Sequence, residues 1–228
     1  MNRFQEVFTH PHTLLVVIHA KSVDQCVRNA FIARDNGARG AFLINHDISS
    51  SELLECYRAV KRPDFWVGLN FLGLKQNEAI RRIPEDADGL WVDHAGIDDS
   101  PRANAAREFL IERRARNWSG LYFGGVAFKY QQPVDDLEGV ARKAVPFVDV
   151  ITTSGDATGK APSVEKIWLM RRGAGDHPIA IASGMTPENV EPYMRHADCF
   201  IVATGLSDRE SDELIPERIR LMTDKLNP

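Results

Sequence analysis

A chain of 228 residues, 43% hydrophobic and 26% charged, is long enough for one large or two small globular domains with a proper core. Its formal net charge of −4 removes any electrostatic reason to expect nucleic acid or an anionic membrane surface as partner. No stretch approaches the ~18 uninterrupted apolar residues of a membrane span, and Glu6, Thr9, His10, Pro11 and His12 interrupt any signal-like run, so a cytoplasmic protein without membrane insertion is expected.

Residues 1–13 form a polar lead-in whose Phe4, Val7 and Phe8 suit a short helix plugging one end of the domain. Residues 14–19 read as a first buried strand. Ser22 and Gln25 have capping-box spacing, and Cys26, Val27, Ala30 and Ala33 then share one helical face, with Gly37 as stop signal. A second strand is expected over 41–45. Ser49 and Glu52 repeat the capping-box spacing ahead of Leu53, Cys56, Tyr57 and Val60, and Pro63 closes that helix. The third unit pairs a strand over 65–72 with a helix over 75–83 ended by Pro84. In the fourth, a strand over 89–93 precedes a helix opened by Ser100-Pro101 whose Ala106, Phe109 and Leu110 face inward.

The second half keeps this rhythm. A strand over 121–129 contains Gly124-Gly125, a signal for a bulge or a tight backbone approach. Leu137, Val140, Ala141 and Ala144 mark the next helix. A strand over 148–153 precedes a helix starting near Ser163 with Val164, Ile167 and Trp168. Residues 178–207 then read as strand, glycine turn, helix, strand, glycine turn, within the ~30 residues of a βαβ unit. There Thr186-Pro187 resembles an N-cap with proline at the first helical position, followed by Val190, Tyr193, Met194 and Ala197 at helical spacing. Ile215, Ile219, Met222 and Leu226 give the last helix. Eight strand–helix pairs without a linker predict one α/β domain over 1–228, a closed (β/α)8 TIM barrel. The 3 cysteines contain no CxxC pair, and Cys26, Cys56 and Cys199 read as buried thiols.

In such a barrel the chemistry lies where strands end. That places His19, Lys21, Asn45, His46, Asp47, Asn70, Asp93, His94 and Lys129 at the mouth. Small-residue turns after strands six, seven and eight join them: Ser154, Gly155, Thr158 and Gly159; Ser183 and Gly184; Thr204 and Gly205. Glycine turns there let backbone N–H groups approach a phosphate, although βα loops also need glycine for geometry alone. GDATGKA (155–161) is not a P-loop: three residues separate its glycines and alanine follows Lys160. Lys160 is either an anion contact or a solvated lysine. No G-x-G-x-x-G follows a strand, so no dinucleotide cofactor is expected, while a divalent ion held by Asp93 or Asp156 with a substrate phosphate stays open.

Asp93 ends an apolar run, which suits a general acid or base with a burial-shifted pKa. It could equally cap a loop or pair with Lys129. Lys129 could stabilise an oxyanion, form a Schiff base, or only neutralise Asp93. Asn70 could orient a substrate hydroxyl or carbonyl, or satisfy strand ends. The histidines are scattered, and the HxH of His10 and His12 alone makes no metal site.

The motif SG-x-ATG-x-x-P (Ser154, Gly155, Ala157, Thr158, Gly159, Pro162) followed by SG-x-TPENV (residues 183–190) resembles the BtpA family, with weaker echoes in VIHA (17–20), GLNFLG (68–73) and FKYQQP (128–133). The resemblance implies a ribulose-phosphate-binding barrel that handles phosphate, in a divergent and shorter form. The proline-rich segment that the family places after its first-strand histidine is missing, so the first βα loop is short. Two functions are expected from different classes. One is an enzyme acting on a phosphorylated small molecule, a sugar or nucleoside phosphate, by isomerase- or lyase-type chemistry with Asp93, Lys129 and Asn70. The other is a non-catalytic assembly or stability factor, and either could work as a homo-oligomer.

Overall fold

The computed structural model describes residues 2–100 and 102–227. A short helix α1 (Arg3–Val7) precedes the alternating series β1 (Thr13–Ala20), α2 (Val23–Asp35), β2 (Gly40–Asn45), α3 (Ser50–Val60), β3 (Trp66–Asn70), α4 (Gln76–Arg82), β4 (Gly89–Val92) and α5 (Asn104–Ala115). The second half runs β5 (Leu121–Gly125), α6 (Leu137–Ala144), β6 (Val150–Thr153), α7 (Val164–Ala174), β7 (Ile179–Ile181), β8 (Cys199–Val202) and α8 (Pro216–Leu226). All eight strands are parallel in chain order, and β1 pairs with β8 to close the barrel. The sequence expectation of a (β/α)8 barrel is met.

Side chains alternate across a strand, so each strand feeds two cores. Leu15 and Val17, Phe42 and Ile44, Trp91, Phe123, Val150, Ala180 and Ile201 fill the barrel lumen. Their alternates, including Leu14, Val16, Ile18, Leu43, Leu69 and Ile151, pack outward against the helices. Phe4 and Phe8 close the N-terminal end of the lumen, with the Phe4 ring 6.3 Å from Phe123 and the Phe8 ring 5.6 Å from Trp66. The expected plug is therefore present, but Val7 points to solvent.

Several local expectations are corrected. Ser49 and Glu52 close a full capping box, whereas at Ser22 only half of one forms. There the Gln25 side chain accepts from Lys21 N (3.3 Å) and donates to His19 O (3.2 Å), fastening the first βα loop instead. Helix α5 starts at Asn104 after Ala103 rather than at Ser100, and Pro101 lies outside the described residues. Strand β3 stops at Asn70 and β5 at Gly125, so Lys129 belongs to the loop beyond β5. Trp168 is exposed on α7 and stacks under Arg172 rather than facing the core.

The largest correction concerns the helix expected around 187–197. Between β7 and β8 there is only a 3-10 turn, Glu191–Tyr193. Pro192 has no N–H to donate to Glu188, and so breaks the α-helical ladder that the apolar spacing implied. Thr186 still accepts from Glu188 N at 3.2 Å, but Asn189 folds back to accept from Thr186 N at 2.9 Å and makes a tight loop. Val190, Tyr193 and Ala197 keep their buried positions.

Gly124-Gly125 marks a close approach, not a bulge, because the register Phe123↔Val150, Gly124↔Ile151, Gly125↔Thr152 is unbroken. A Cβ on Gly125 would stand 1.9 Å from Asp93 O. Gly125→Ala is therefore expected to lower stability by about 1–3 kcal/mol, the usual cost of overpacking. It should appear as a lower denaturation midpoint at unchanged slope; an unchanged midpoint would contradict this contact.

Candidate functional site

Alternation carries the lumen pattern up to the C-terminal mouth. Two residues beyond Val17 comes His19, beyond Ile44 His46, beyond Trp91 Asp93, beyond Ala182 Gly184, and beyond Ile201 Ala203 and Gly205. All of these line a cavity of about 270 Å³ whose floor is the apolar lumen. Larger hollows of about 750 and 610 Å³ are bounded by the lead-in, helix ends and strand starts of the opposite face, where barrels of this type do not place chemistry.

Asp93 is held both at its side chain and at its backbone. Asn70, itself buried, donates Nδ2 to Asp93 Oδ1 at 3.2 Å. Gln131 Nε2 donates to the Asp93 carbonyl, and Gln131 Oε1 accepts from Phe128 N at 3.3 Å, which fastens the β5 loop to the end of β4. Ala95 N donates to Gly125 O at 2.8 Å. Burial pushes the Asp93 carboxyl up from its ordinary value, against the Asn70 hydrogen bond and the more distant charges of Lys129 and His46.

Lys129 lines the cavity beside Tyr130, with its ammonium 5.4 Å from the Phe128 ring centroid. It acts on Asp93 through space and closes no ion pair with it among the described residues. Its backbone N donates to Ser154 Oγ at 2.8 Å. Ser154 is fully buried and spends its own proton on Gly155 O at 2.9 Å, so Ser154 and Gly155 brace the wall rather than face the cavity. Behind them the half-buried Lys166 donates to Ala127 O (2.6 Å) and Ser154 O (2.7 Å), and burial holds its ammonium below the ordinary lysine value.

Thr158, Gly159, Ser183, Gly184, Thr204 and Gly205 all line the cavity. Ser183 Oγ donates to Ala157 O at 3.1 Å, tying the β6 and β7 loops together. Tyr130 reaches over the rim to accept from Thr158 N at 3.3 Å. Gly184 adopts φ +65°, and a Cβ there would stand 2.1 Å from Ala161 N. Its carbonyl accepts from Asn189 Nδ2 at 2.9 Å, and that of Gly205 from Arg218 Nε at 2.6 Å. Arg218 also clasps the Glu188 carboxylate, so both glycine loops are braced from behind. Among the described residues the backbone N–H groups of Gly159, Gly184 and Gly205 have no hydrogen-bond partner.

The mouth also holds residues that the sequence did not single out. Asp212, from the loop after β8, lies with Oδ1 3.6 Å from His19 Nδ1 and Oδ2 2.7 Å from Lys21 Nζ. Gln131 and Lys166 act as braces, and Trp91 forms part of the floor. Tyr130 had a signal in the FKYQQP echo; Asp212 sits in an acidic loop without periodicity and had none. His94 turns away to accept from Gly96 N at 2.9 Å, and Asp156 lies on the surface outside the cavity. Among the described residues no three His, Cys, Asp or Glu side chains are grouped to hold a metal ion. Cys26, Cys56 and Cys199 are buried and free, and no helix of the described residues is long and apolar enough to cross a membrane.

Residues 122–227 match the BtpA family, a span that contains both motifs on which the resemblance was read. Among solved structures, (S)-3-O-geranylgeranylglyceryl phosphate synthase from Thermoplasma acidophilum, in complex with substrate sn-glycerol-1-phosphate, is similar with a TM-score of 0.71 at 16% identity, covering 100% of this chain and 99% of that one. Orotidine 5'-monophosphate decarboxylase from Methanocaldococcus jannaschii, complexed with inhibitor BMP, gives 0.68 at 12% identity over 96% and 100%. Phosphoribosyl anthranilate isomerase from Thermus thermophilus gives 0.64 at 14% over 94% and 98%. At these identities the likeness shows the fold alone, a closed (β/α)8 barrel. No curated protein matches the sequence.

Because burial raises the Asp93 pKa, its ionised form at neutral pH weakens the fold relative to an unfolded chain with an ordinary carboxylate. Asp93→Asn keeps the oxygen that Asn70 contacts and removes the charge. It is expected to raise Tm at pH 7 by roughly 2–4 °C, the shift that about 1 kcal/mol produces in a chain of this size. The gain should shrink as pH falls through the raised pKa towards 3.8, where wild-type Asp93 is protonated too. Melting both proteins across that range checks the sign; a destabilised Asp93→Asn at pH 7 would show that the charge is satisfied by the fold.

Proposed function

We propose that this barrel, whose C-terminal half carries the BtpA family sequence, is an enzyme that binds a small phosphorylated metabolite, a sugar or nucleoside phosphate, and acts on it by isomerase- or lyase-type proton transfer. The observation that carries the reading is the set of unpaired N–H groups at Gly159, Gly184 and Gly205 along one side of the cavity, on loops whose carbonyls or neighbours are already fastened. Unpaired backbone donors held in place suit a phosphate, whose oxygens accept several hydrogen bonds at once. The fold neighbour from Thermoplasma acidophilum, solved with sn-glycerol-1-phosphate, supports the same ligand class.

With the phosphate on the β6–β8 loops, the rest of a small ligand extends over the apolar floor towards β4 and β5. Asp93, with its raised pKa, would exchange a proton with the substrate. Asn70 would hold the carboxyl in one orientation and Lys129 would face developing negative charge on an oxygen. The cavity suits a metabolite of a few carbons plus a phosphate better than a large cofactor.

Ribose 5-phosphate at a hundredfold excess over its dissociation constant should stabilise the protein by ~2.7 kcal/mol, about 5–10 °C in Tm, while ribose alone should not. Gly159→Ala, where a Cβ meets nothing within 4 Å although φ is +76°, should weaken the response and leave the fold intact. If a panel of sugar and nucleoside phosphates produces no shift, the phosphate reading falls and the assembly-factor alternative takes its place.

A further inference from the structure

The β1 corner of the mouth contains a cluster that phosphate binding does not use. His19 continues the inward series of Leu15 and Val17, is half-buried, and lines the cavity. Its Nδ1 faces Asp212 Oδ1 at 3.6 Å, and the His46 ring stands edge-on with centroids 4.8 Å apart. Lys21 engages the second Asp212 oxygen at 2.7 Å, which keeps that carboxylate ionised. Among the described residues Asp212 is the one carboxylate within 4 Å of the His19 ring nitrogens.

The loop that delivers Asp212 is built for the purpose. A bridge between Ser207 and Leu214 closes it. Asp208 Oδ1 accepts from Glu210 N (3.1 Å), Ser211 N (2.9 Å) and Ser211 Oγ (2.9 Å), which shapes the turn. Buried Asn29 of α2 accepts from Leu214 N at 2.9 Å, and Arg28 pairs with Glu213 at 2.7 Å. Asp212 itself adopts φ +60°, a left-handed conformation that is unfavourable for most L-residues and that aspartate tolerates better than most. The short first βα loop leaves room for this carboxylate to arrive from across the barrel closure.

We propose that His19 is a proton-transfer residue of the mouth and that Asp212 is its positioning partner. The assignment rests on reading the mouth as a catalytic site. With the carboxylate on the Nδ1 side, the ring proton resides on Nδ1 and Nε2 is left as the acceptor. A substrate C–H bond breaks, its electron pair stays on the substrate as an enolate, and the proton forms a new N–H bond at Nε2. Asp212 balances the resulting imidazolium charge. Nε2 returns the proton to the neighbouring substrate carbon while the hydroxyl proton of that carbon passes to the former carbonyl oxygen, which restores neutral His19 and completes an isomerisation without a co-reactant. Burial and His46 hold the imidazole below its ordinary pKa, Asp212 pulls it up and Lys21 adds a smaller downward push, so the ring is neutral at pH 7 and free to accept.

The test is a histidine-resolved NMR titration of the full chain, combined with modification by diethyl pyrocarbonate, which attacks neutral Nε2. In the wild type His19 should show the Nδ1–H tautomer. Asp212→Asn, which also tolerates the left-handed backbone, should lower the His19 pKa further, blur the tautomer and slow modification several-fold. Lys21→Met should move the His19 pKa upward, because a positive neighbour is removed while Asp212 stays. If Asp212→Asn leaves tautomer and titration unchanged, or if Lys21→Met reproduces its effect, Asp212 only clips the loop and the proposal is overturned. Ribose 5-phosphate should protect His19 from modification. Absence of that protection, with both variants behaving as stated, would sink the phosphate reading and leave the His19–Asp212 pair standing.

Discussion

A closed parallel sheet has no edge, and its side chains must alternate between a lumen and a helix-facing shell. That constraint fixes the site. Once Leu15 and Val17, Phe42 and Ile44, and Trp91 point into the lumen, His19, His46 and Asp93 must point into its mouth. With Phe4 and Phe8 packed into the other end, the polar groups rest on a dry floor. Desolvation from that floor is the leading cause of the shifts at both Asp93 and His19, upward for the acid and downward for the base. Both shifts favour the neutral form of the group concerned.

The mouth divides into two kinds of chemistry. The ends of β1, β2 and β4, with Asp212 from the loop after β8, contribute groups that titrate, and the glycine turns after β6, β7 and β8 contribute backbone donors that do not. Lys129 stands between them on the β5 loop. Among the described residues four non-glycine residues have positive φ, and three of them, Ala127, Tyr130 and Asp212, lie on loops of this face. Each is held by something specific: Ala127 O by Lys166 and by Thr153 Oγ1, Tyr130 by Thr158, and Asp212 by Lys21 and the Asn29 anchor. Backbone strain gathers where side chains have to be aimed, and buried polar braces keep it there.

The parts of this organisation that depend on local sequence were legible. Apolar runs placed all eight strands, and the strand-end rule brought Asp93, Asn70 and Lys129 to one face. The glycine turns at 184 and 205 marked loops that do line the cavity. What escaped depends on pairing between distant segments. Asp212 meets His19 only because β8 closes against β1, and Lys166 becomes a brace only once α7 packs behind β5 and β6. The helix expected between β7 and β8 failed for a local reason: apolar spacing is blind to Pro192, and a 3-10 turn keeps Val190, Tyr193 and Ala197 buried as well as a helix would. Ser154 and Gly155 share the glycine-turn signature of their neighbours, and only the direction of the chain after β6 turns them into the wall.

Loss of that helix changes how an anion would be held. A long helix would offer its N-terminal dipole; here the β7 and β8 loops rely on braced glycines instead. Asn189 fixes the carbonyl of Gly184 and Arg218 that of Gly205, while Glu188 occupies the remainder of the guanidinium. Arg218 therefore supports the loop and is not free to face a ligand, and a net charge of −4 supplies no general attraction for anions. Recognition in this arrangement is short-range and geometric. It would depend on backbone N–H groups rather than on charged side chains, and so would respond weakly to salt. A site of that kind would keep its selectivity while the titratable groups of the mouth change charge, because backbone N–H donors do not titrate.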